Sequence, residues 1–151
     1  MWISKEQALQ KIRHYCAYQE RCHQEVKEKL YGFGLHRAEV DELLSRLIED
    51  NYLDEERFAV QFAGGKFRMN RWGRRRIEAE LRGRQVSDYC IRKGLASIDE
   101  SDYQQTLEKL AKQKFASLSG ETPFVARGKT IAYLVQKGYE PDLAAKALET
   151  P

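Results

Sequence analysis

Three prolines and three cysteines in 151 residues leave little to interrupt helices and nothing from which to build a disulfide framework. Cys16, Cys22 and Cys90 form no CxxC pair, and a cytosolic setting would keep them reduced. His14, Cys16, Cys22 and His23 crowd into one short stretch, but their spacing fits no common zinc site, so inert thiols and surface histidines are expected rather than a metal. No run of about eighteen apolar residues occurs, which excludes a membrane-spanning helix. The opening MWISKEQALQKIRH has neither the apolar core nor the cleavage site of a secretory signal, so the cytoplasm is the expected compartment. GxSxG, HExxH and GxGxxG are absent as well. PFVARGKT (123–130) ends like a phosphate-binding loop, yet it puts Pro123 where the first glycine belongs and a helix cap where a strand should precede. The carboxylates of LDEERF read as a cap and first turn rather than an acid and base pair. Neither an enzyme nor a cofactor is expected.

What is present is helical punctuation. With 42% hydrophobic and 32% charged residues, the composition suits a helix-rich folded chain. Ser4 and Gln7 form a capping box, opening a helix that buries Ala8, Leu9, Ile12 and Cys16. Asp54 caps the next long helix, Ser101 with Gln104 reads as a second capping box, and Thr122 precedes a proline at the first helical position. Gly138 supplies a left-handed stop. The reading is all-α, with nine helices and no sheet. Gly64 and Gly65 lie within the Asp54 helix, where each costs up to about 1 kcal/mol relative to alanine. They read as a tolerated flaw or an early helix end, or else as a bend or a close backbone approach.

The pattern also repeats. Leu30, Leu81 and Leu134 anchor three copies in which an apolar residue follows five later (Leu35, Val86, Tyr139) and a leucine fourteen later (Leu44, Leu95, Leu148). Tyr52 and Tyr103 lie twenty-two beyond the first two anchors. Three three-helix repeats are expected, over 1–53, 54–100 and 101–151, stacked into an elongated, curved monomer. Tyr52 and Phe58 are assigned to packing between the first two.

Charge is distributed unevenly. Residues 1–65 carry a net −3, residues 85–151 a net 0, and the nineteen residues 66–84 a net +6. Lys66, Arg68, Arg71, Trp72, Arg74, Arg75, Arg76, Arg82 and Arg84 are the candidate binding residues; Arg71, Arg74 and Arg75 gather around the turn at Gly73, and Arg68, Trp72 and Arg76 extend the patch. Guanidinium groups beside an indole suit phosphates and stacked aromatics. The plainer alternative is that Glu78, Glu80 and acidic residues of the first repeat neutralise the block, with Trp72 serving as a core anchor.

Two stretches carry a family resemblance. LIEDNYLDEERFAVQF (47–62), which holds Tyr52, Leu53, Asp54 and Phe58, and RWGRRRIEAEL (71–81), which holds Gly73, are similar to motifs of the RecX regulatory proteins. ALQKIRHYCAYQERCHQEVKEKLYGFGL (8–35) resembles the amino-terminal repeat of that family. The resemblance implies three tandem three-helix repeats. It also implies a modulator, usually an inhibitor, of RecA filaments in DNA repair and the SOS response, lying in the filament groove and impeding extension, strand exchange and ATP hydrolysis. The expected partner is therefore the RecA filament, with at most weak contact to DNA. A direct DNA binder using Arg71 to Arg84 is the alternative.

Overall fold

The computed structural model describes residues 3–149, so the outer limits of the first and third repeats, Met1 and Pro151, lie outside the described residues. Among those described, the chain folds into nine α-helices with no strand: α1 (Lys5–Tyr18), α2 (His23–Gly32), α3 (Arg37–Glu49), α4 (Glu55–Gly65), α5 (Arg74–Gly83), α6 (Asp88–Ala96), α7 (Glu100–Ser117), α8 (Pro123–Lys137) and α9 (Pro141–Ala147). None is long and apolar enough to cross a membrane.

Local chemistry sets most of the ends. The Gln7 N–H donates to Ser4 Oγ at 3.2 Å and Ser4 N–H to Gln7 Oε1 at 3.1 Å, closing the box that starts α1. Asp54 Oδ1 accepts from the Arg57 N–H at 2.9 Å, and Thr122 Oγ1 from that of Val125 at 3.3 Å. One start differs from expectation. α7 is capped by Asp99, which accepts from the Asp102 N–H at 3.0 Å, so Ser101 sits inside the first turn and does not cap it.

The leucine register holds in all three units. Leu30, Leu81 and Leu134 are completely buried, Leu35, Val86 and Tyr139 are buried, and Leu44, Leu95 and Leu148 are half-buried. The tyrosine register fails, because α6 has 9 residues against 13 in α3 and the following long helix starts sooner. Tyr103 is therefore the counterpart of Phe58: each lies four residues after its aspartate cap and bonds back to it, at 2.9 Å. Tyr52 does not pack between repeats. It is exposed at the end of α3 with the Arg13 guanidinium 5.7 Å from its ring centre, while Leu53 takes the buried place.

Apolar packing divides into two bodies. Ala8, Ile12, Val26, Leu30, Leu43 and Leu53 lie in a core made by α1 to α3 alone. The helices α4 to α9 share a second, continuous core that includes Phe58, Phe67, Leu81, Tyr103, Leu134 and Tyr139, and from the first unit it receives only Cys22. Arg57 bridges the two bodies: its Nε donates to Glu20 at 2.6 Å and its terminal nitrogens to Asn51 at 3.1 and 3.2 Å. The accessible surface, 9281 Å², exceeds the roughly 7,900 Å² of a compact monomer of this mass, as an elongated array should.

The α-helical run of α4 ends at the glycine pair, at Gly65, but the chain does not leave the helix there, and neither glycine packs against a neighbouring backbone. The helix runs on as a π-helical turn, Lys66–Asn70, and stops at Arg71 in the left-handed region, φ 57°. A Cβ on Gly64 would lie 2.7 Å from the folded-back Arg68 guanidinium, whereas one on Gly65 would meet nothing within 4 Å.

Candidate functional site

The basic segment enters α5 pressed against the end of α8. Gly73 caps α5 without a side chain, so the first N–H groups of that helix need other acceptors. They find the last carbonyls of α8: the Gly73 N–H donates to Lys137 O at 2.8 Å and the Arg75 N–H to Gly138 O at 2.9 Å. The approach requires two glycines. A Cβ on Gly73 would lie 2.3 Å from the Gly138 carbonyl carbon, and Gly138 adopts φ 108° with Arg76 Cβ 2.5 Å from where its own Cβ would stand. The Tyr139 hydroxyl donates to Arg71 O at 2.9 Å and Lys137 Nζ to Asn70 O at 3.2 Å, fixing the turn from both sides.

The cations of 66–84 divide by fate. Arg74 turns inward, its guanidinium donating to Glu140 at 2.8 Å and Glu100 at 2.6 Å above the Tyr103 ring. The Arg74 N–H donates to Tyr103 Oη at 3.0 Å, and that hydroxyl donates to Glu140 Oε1 at 2.6 Å. Burial alone would raise the Glu140 carboxyl, but the Tyr103 and Arg74 hydrogen bonds outweigh it and hold the group below the ordinary glutamate range. Burial pushes the Tyr103 hydroxyl far up, so it remains a donor. Arg82 pairs with Glu78 and Asp88, while Arg84 pairs with Glu80 at 3.1 Å and lies over the Phe62 ring. Internal pairing thus takes Arg74, Arg82 and Arg84 out of the set of unpaired cations, although Arg82 itself stays exposed. Its carboxylates include Glu78 and Glu80, joined by Asp88, Glu100 and Glu140 rather than by residues of the first repeat.

Arg68, Arg71, Arg75 and Arg76 stay exposed and make no ion pair with any described residue. Trp72 is half-buried against the shared core and flanked by two cations, Lys66 Nζ at 5.1 Å and the Arg76 guanidinium at 4.2 Å from its ring centre. It is both core anchor and stacking surface. Lys137 of α8 joins this ridge: burial first, then the nearby charges of Arg76 and Arg71, lower its pKa. Sequence reasoning missed Lys137 because it lies in a segment of balanced charge far along the chain, and nothing local ties its neighbour Gly138 to Gly73. The site is therefore a cationic ridge of Lys66, Arg71, Arg76 and Lys137 around one indole, with Arg68 and Arg75 close by in sequence.

The ridge has no nucleophile or acid and base pair. Burial pushes the Cys16 and Cys22 thiols up to about 11, leaving them protonated near neutrality. Among the described residues, no three His, Cys, Asp or Glu side chains converge as a metal site.

Comparison with known proteins adds the following. Residues 54–95 match the RecX second three-helix domain and residues 100–148 the RecX third three-helix domain. The chain is 27% identical over 135 residues to the regulatory protein RecX of Bacillus cereus (strain B4264), covering 89% of this chain and 50% of the relative. The corresponding protein of Bacillus thuringiensis (strain Al Hakam) is 26% identical over the same length. The chain thus spans about half the length of the curated relatives it matches. Its fold resembles the crystal structure of RecX from Lactobacillus salivarius, with TM-score 0.89 at 18% identity, over 96% of this chain and 94% of that one. A crystal structure of regulatory protein RecX superimposes with TM-score 0.87 at 18% identity, over 97% and 72% of the two chains.

Proposed function

We propose, from the premise that this chain belongs to the RecX family, that it is a non-catalytic cytoplasmic regulator, monomeric in solution, that binds RecA nucleoprotein filaments and inhibits their ATP hydrolysis and strand exchange. The observation that carries this reading is the unpaired ridge of Lys66, Arg71, Arg76 and Lys137 at the seam of two repeats that share one core. A block of like charge costs self-repulsion unless an anionic surface meets it, and a ridge built on a rigid body loses little entropy when it docks. Several weak contacts held in one array reinforce one another, which favours an assembled filament over scattered protomers. We take the repeats to be residues 1–53, 54–100 and 101–151, with the second and third presenting the ridge together.

The test uses RecA, single-stranded DNA and ATP. The wild-type chain lowers hydrolysis and strand exchange, and Lys66→Glu/Arg71→Glu/Arg76→Glu is much weaker in both while its helical spectrum is unchanged. Arg74 stays intact in that variant because it holds the fold. If hydrolysis is unaffected at saturating protein, the regulator reading fails. If the wild type binds naked DNA as tightly as the filament, with a steep salt dependence carried by the same residues, a direct DNA binder replaces it.

A further inference from the structure

The outer face of α8 is apolar where its counterparts in the other two repeats are polar. Phe124, Gly128, Ala132 and Val135 share one side of that helix and are exposed, Phe124 at 88%, while Ala126, Thr130 and Leu134 take the opposite, buried side. The leucine register supplies an internal comparison. Counted from Leu30, Leu81 and Leu134, Phe124 stands where the earlier repeats carry Glu20 and Arg71, Gly128 where they carry Gln24 and Arg75, and Val135 where they carry Tyr31 and Arg82. Gly128 sharpens the contrast. A glycine inside a helix weakens it, and a Cβ here would meet nothing within 4 Å, so the packing of the chain itself does not call for one. What the missing side chain permits is the close approach of a second backbone from outside.

The face carries both halves of its own complement. A second α8 laid antiparallel across it, with the two-fold axis between Gly128 and Ala132, sets each Gly128 opposite the other copy's Ala132 and each Phe124 against the other copy's Val135. We infer that this face pairs two copies of the chain in that isologous arrangement. Charge favours the same occupant. Lys129, at the rim, is already paired with Glu121 at 2.6 Å, so two copies meet here without opposing unpaired charges, although the chain as a whole carries +3. An anionic partner finds nothing on this face to neutralise. The contact is small: Phe124 and Val135 stand about 17 Å apart along the axis, and a strip one helix wide falls well short of the roughly 800 Å² per partner of stable complexes. The chain is therefore monomeric when dilute and pairs when crowded. Lys137 lies nine residues beyond Gly128, half a revolution around the helix, so pairing leaves the ridge of each copy open and one pair presents two ridges at once.

The experiment is sedimentation equilibrium of the full chain up to millimolar concentration, where the wild type shows a monomer and dimer equilibrium with a dissociation constant on the order of 1 mM. Phe124→Ser and Gly128→Leu each weaken pairing about ten-fold or more, as loss of a central apolar anchor or of the close approach should. Folding is controlled by sign: leucine is the better helix former, so Gly128→Leu raises the melting temperature while it lowers pairing. Register is read by oxidation. Gly128→Cys mixed with Ala132→Cys forms an intermolecular disulfide faster than either variant alone, and the native thiols, all buried, do not compete. The inference is overturned if the wild type stays monomeric throughout, which leaves this face to a different protein. It is equally overturned if both variants pair like the wild type, or if the mixed cysteine variants crosslink no faster than each alone.

Discussion

Replacing Tyr103 by Phe removes one oxygen from the centre of the contact between the second and third repeats and leaves the ring packing in place. The hydroxyl donates to Glu140 and accepts from the Arg74 N–H, in the first turn of α5. Its removal forfeits a hydrogen bond to a charged group, about 1.5 to 3 kcal/mol, and leaves a half-buried N–H without a partner, about 1 kcal/mol or more. The expected loss is therefore about 2 to 4 kcal/mol. At roughly 2 to 4 °C per kcal/mol for a chain of this size, the melting temperature of the shared core falls by about 5 to 15 °C, readable by circular dichroism alongside urea titration. The effect has a pH signature. Glu140 is held below its ordinary value in the fold, so its stabilising contribution is present above about pH 4.3 and disappears as pH falls through the lowered folded value. Without the Tyr103 hydroxyl that depression shrinks, and the stability gap between variant and wild type narrows in acid. A cycle with Glu140→Gln should give a coupling of about 1 to 3 kcal/mol. A loss below about 0.5 kcal/mol, or a gap that does not change between pH 7 and pH 3, would refute the assignment of this network as the seam.

Phe58→Ala should cost about 3 to 5 kcal/mol in urea denaturation, whereas Tyr52→Ala should cost less than about 1 kcal/mol, because only Phe58 is buried. Gly138→Ala forces a side chain into a left-handed position and against Arg76, so a loss of about 3 kcal/mol or more is expected, with the Gly73 contact broken and crosslinks between α5 and α8 abolished. At pH 8 Cys16 and Cys22 should react with a disulfide reagent far more slowly than free cysteine, since burial holds both thiols at about 11. Urea at unfolding concentration should remove that protection.

Much of the fold was legible because its determinants are local or periodic. The threefold leucine register from Leu30, Leu81 and Leu134 follows from helix geometry within each unit, and the caps at Ser4, Asp54 and Thr122 act over three residues. The errors arose where a length or a distant partner decides. Ser101 with Gln104 fits a capping box by composition, but α6 ends early enough for Asp99 to start the next helix first. The same shortening moves the aromatic register, so Tyr103 pairs with Phe58 instead of Tyr52. The charge block was visible in the sequence, but the fate of its members was not. Arg74 is drawn inward by Glu140, 66 positions away, and Lys137 reaches the ridge through a glycine contact that no local pattern announces. Electrostatic pairing at that range is set by tertiary packing, which composition cannot resolve.

The division of apolar packing into two bodies means that stiffness is distributed unevenly along the molecule. Everything from α4 to α9 bends as one beam, because deforming it would open a continuous core. The first three helices meet that beam through one buried apolar residue, Cys22, and through polar contacts, Arg57 to Glu20 and Asn51 and His23 to Glu55, that reorient at lower cost than a core opens. The array is therefore a rigid gauge with a compliant arm. The beam fixes the geometry of the ridge, while the arm is joined to it over a smaller and more polar contact.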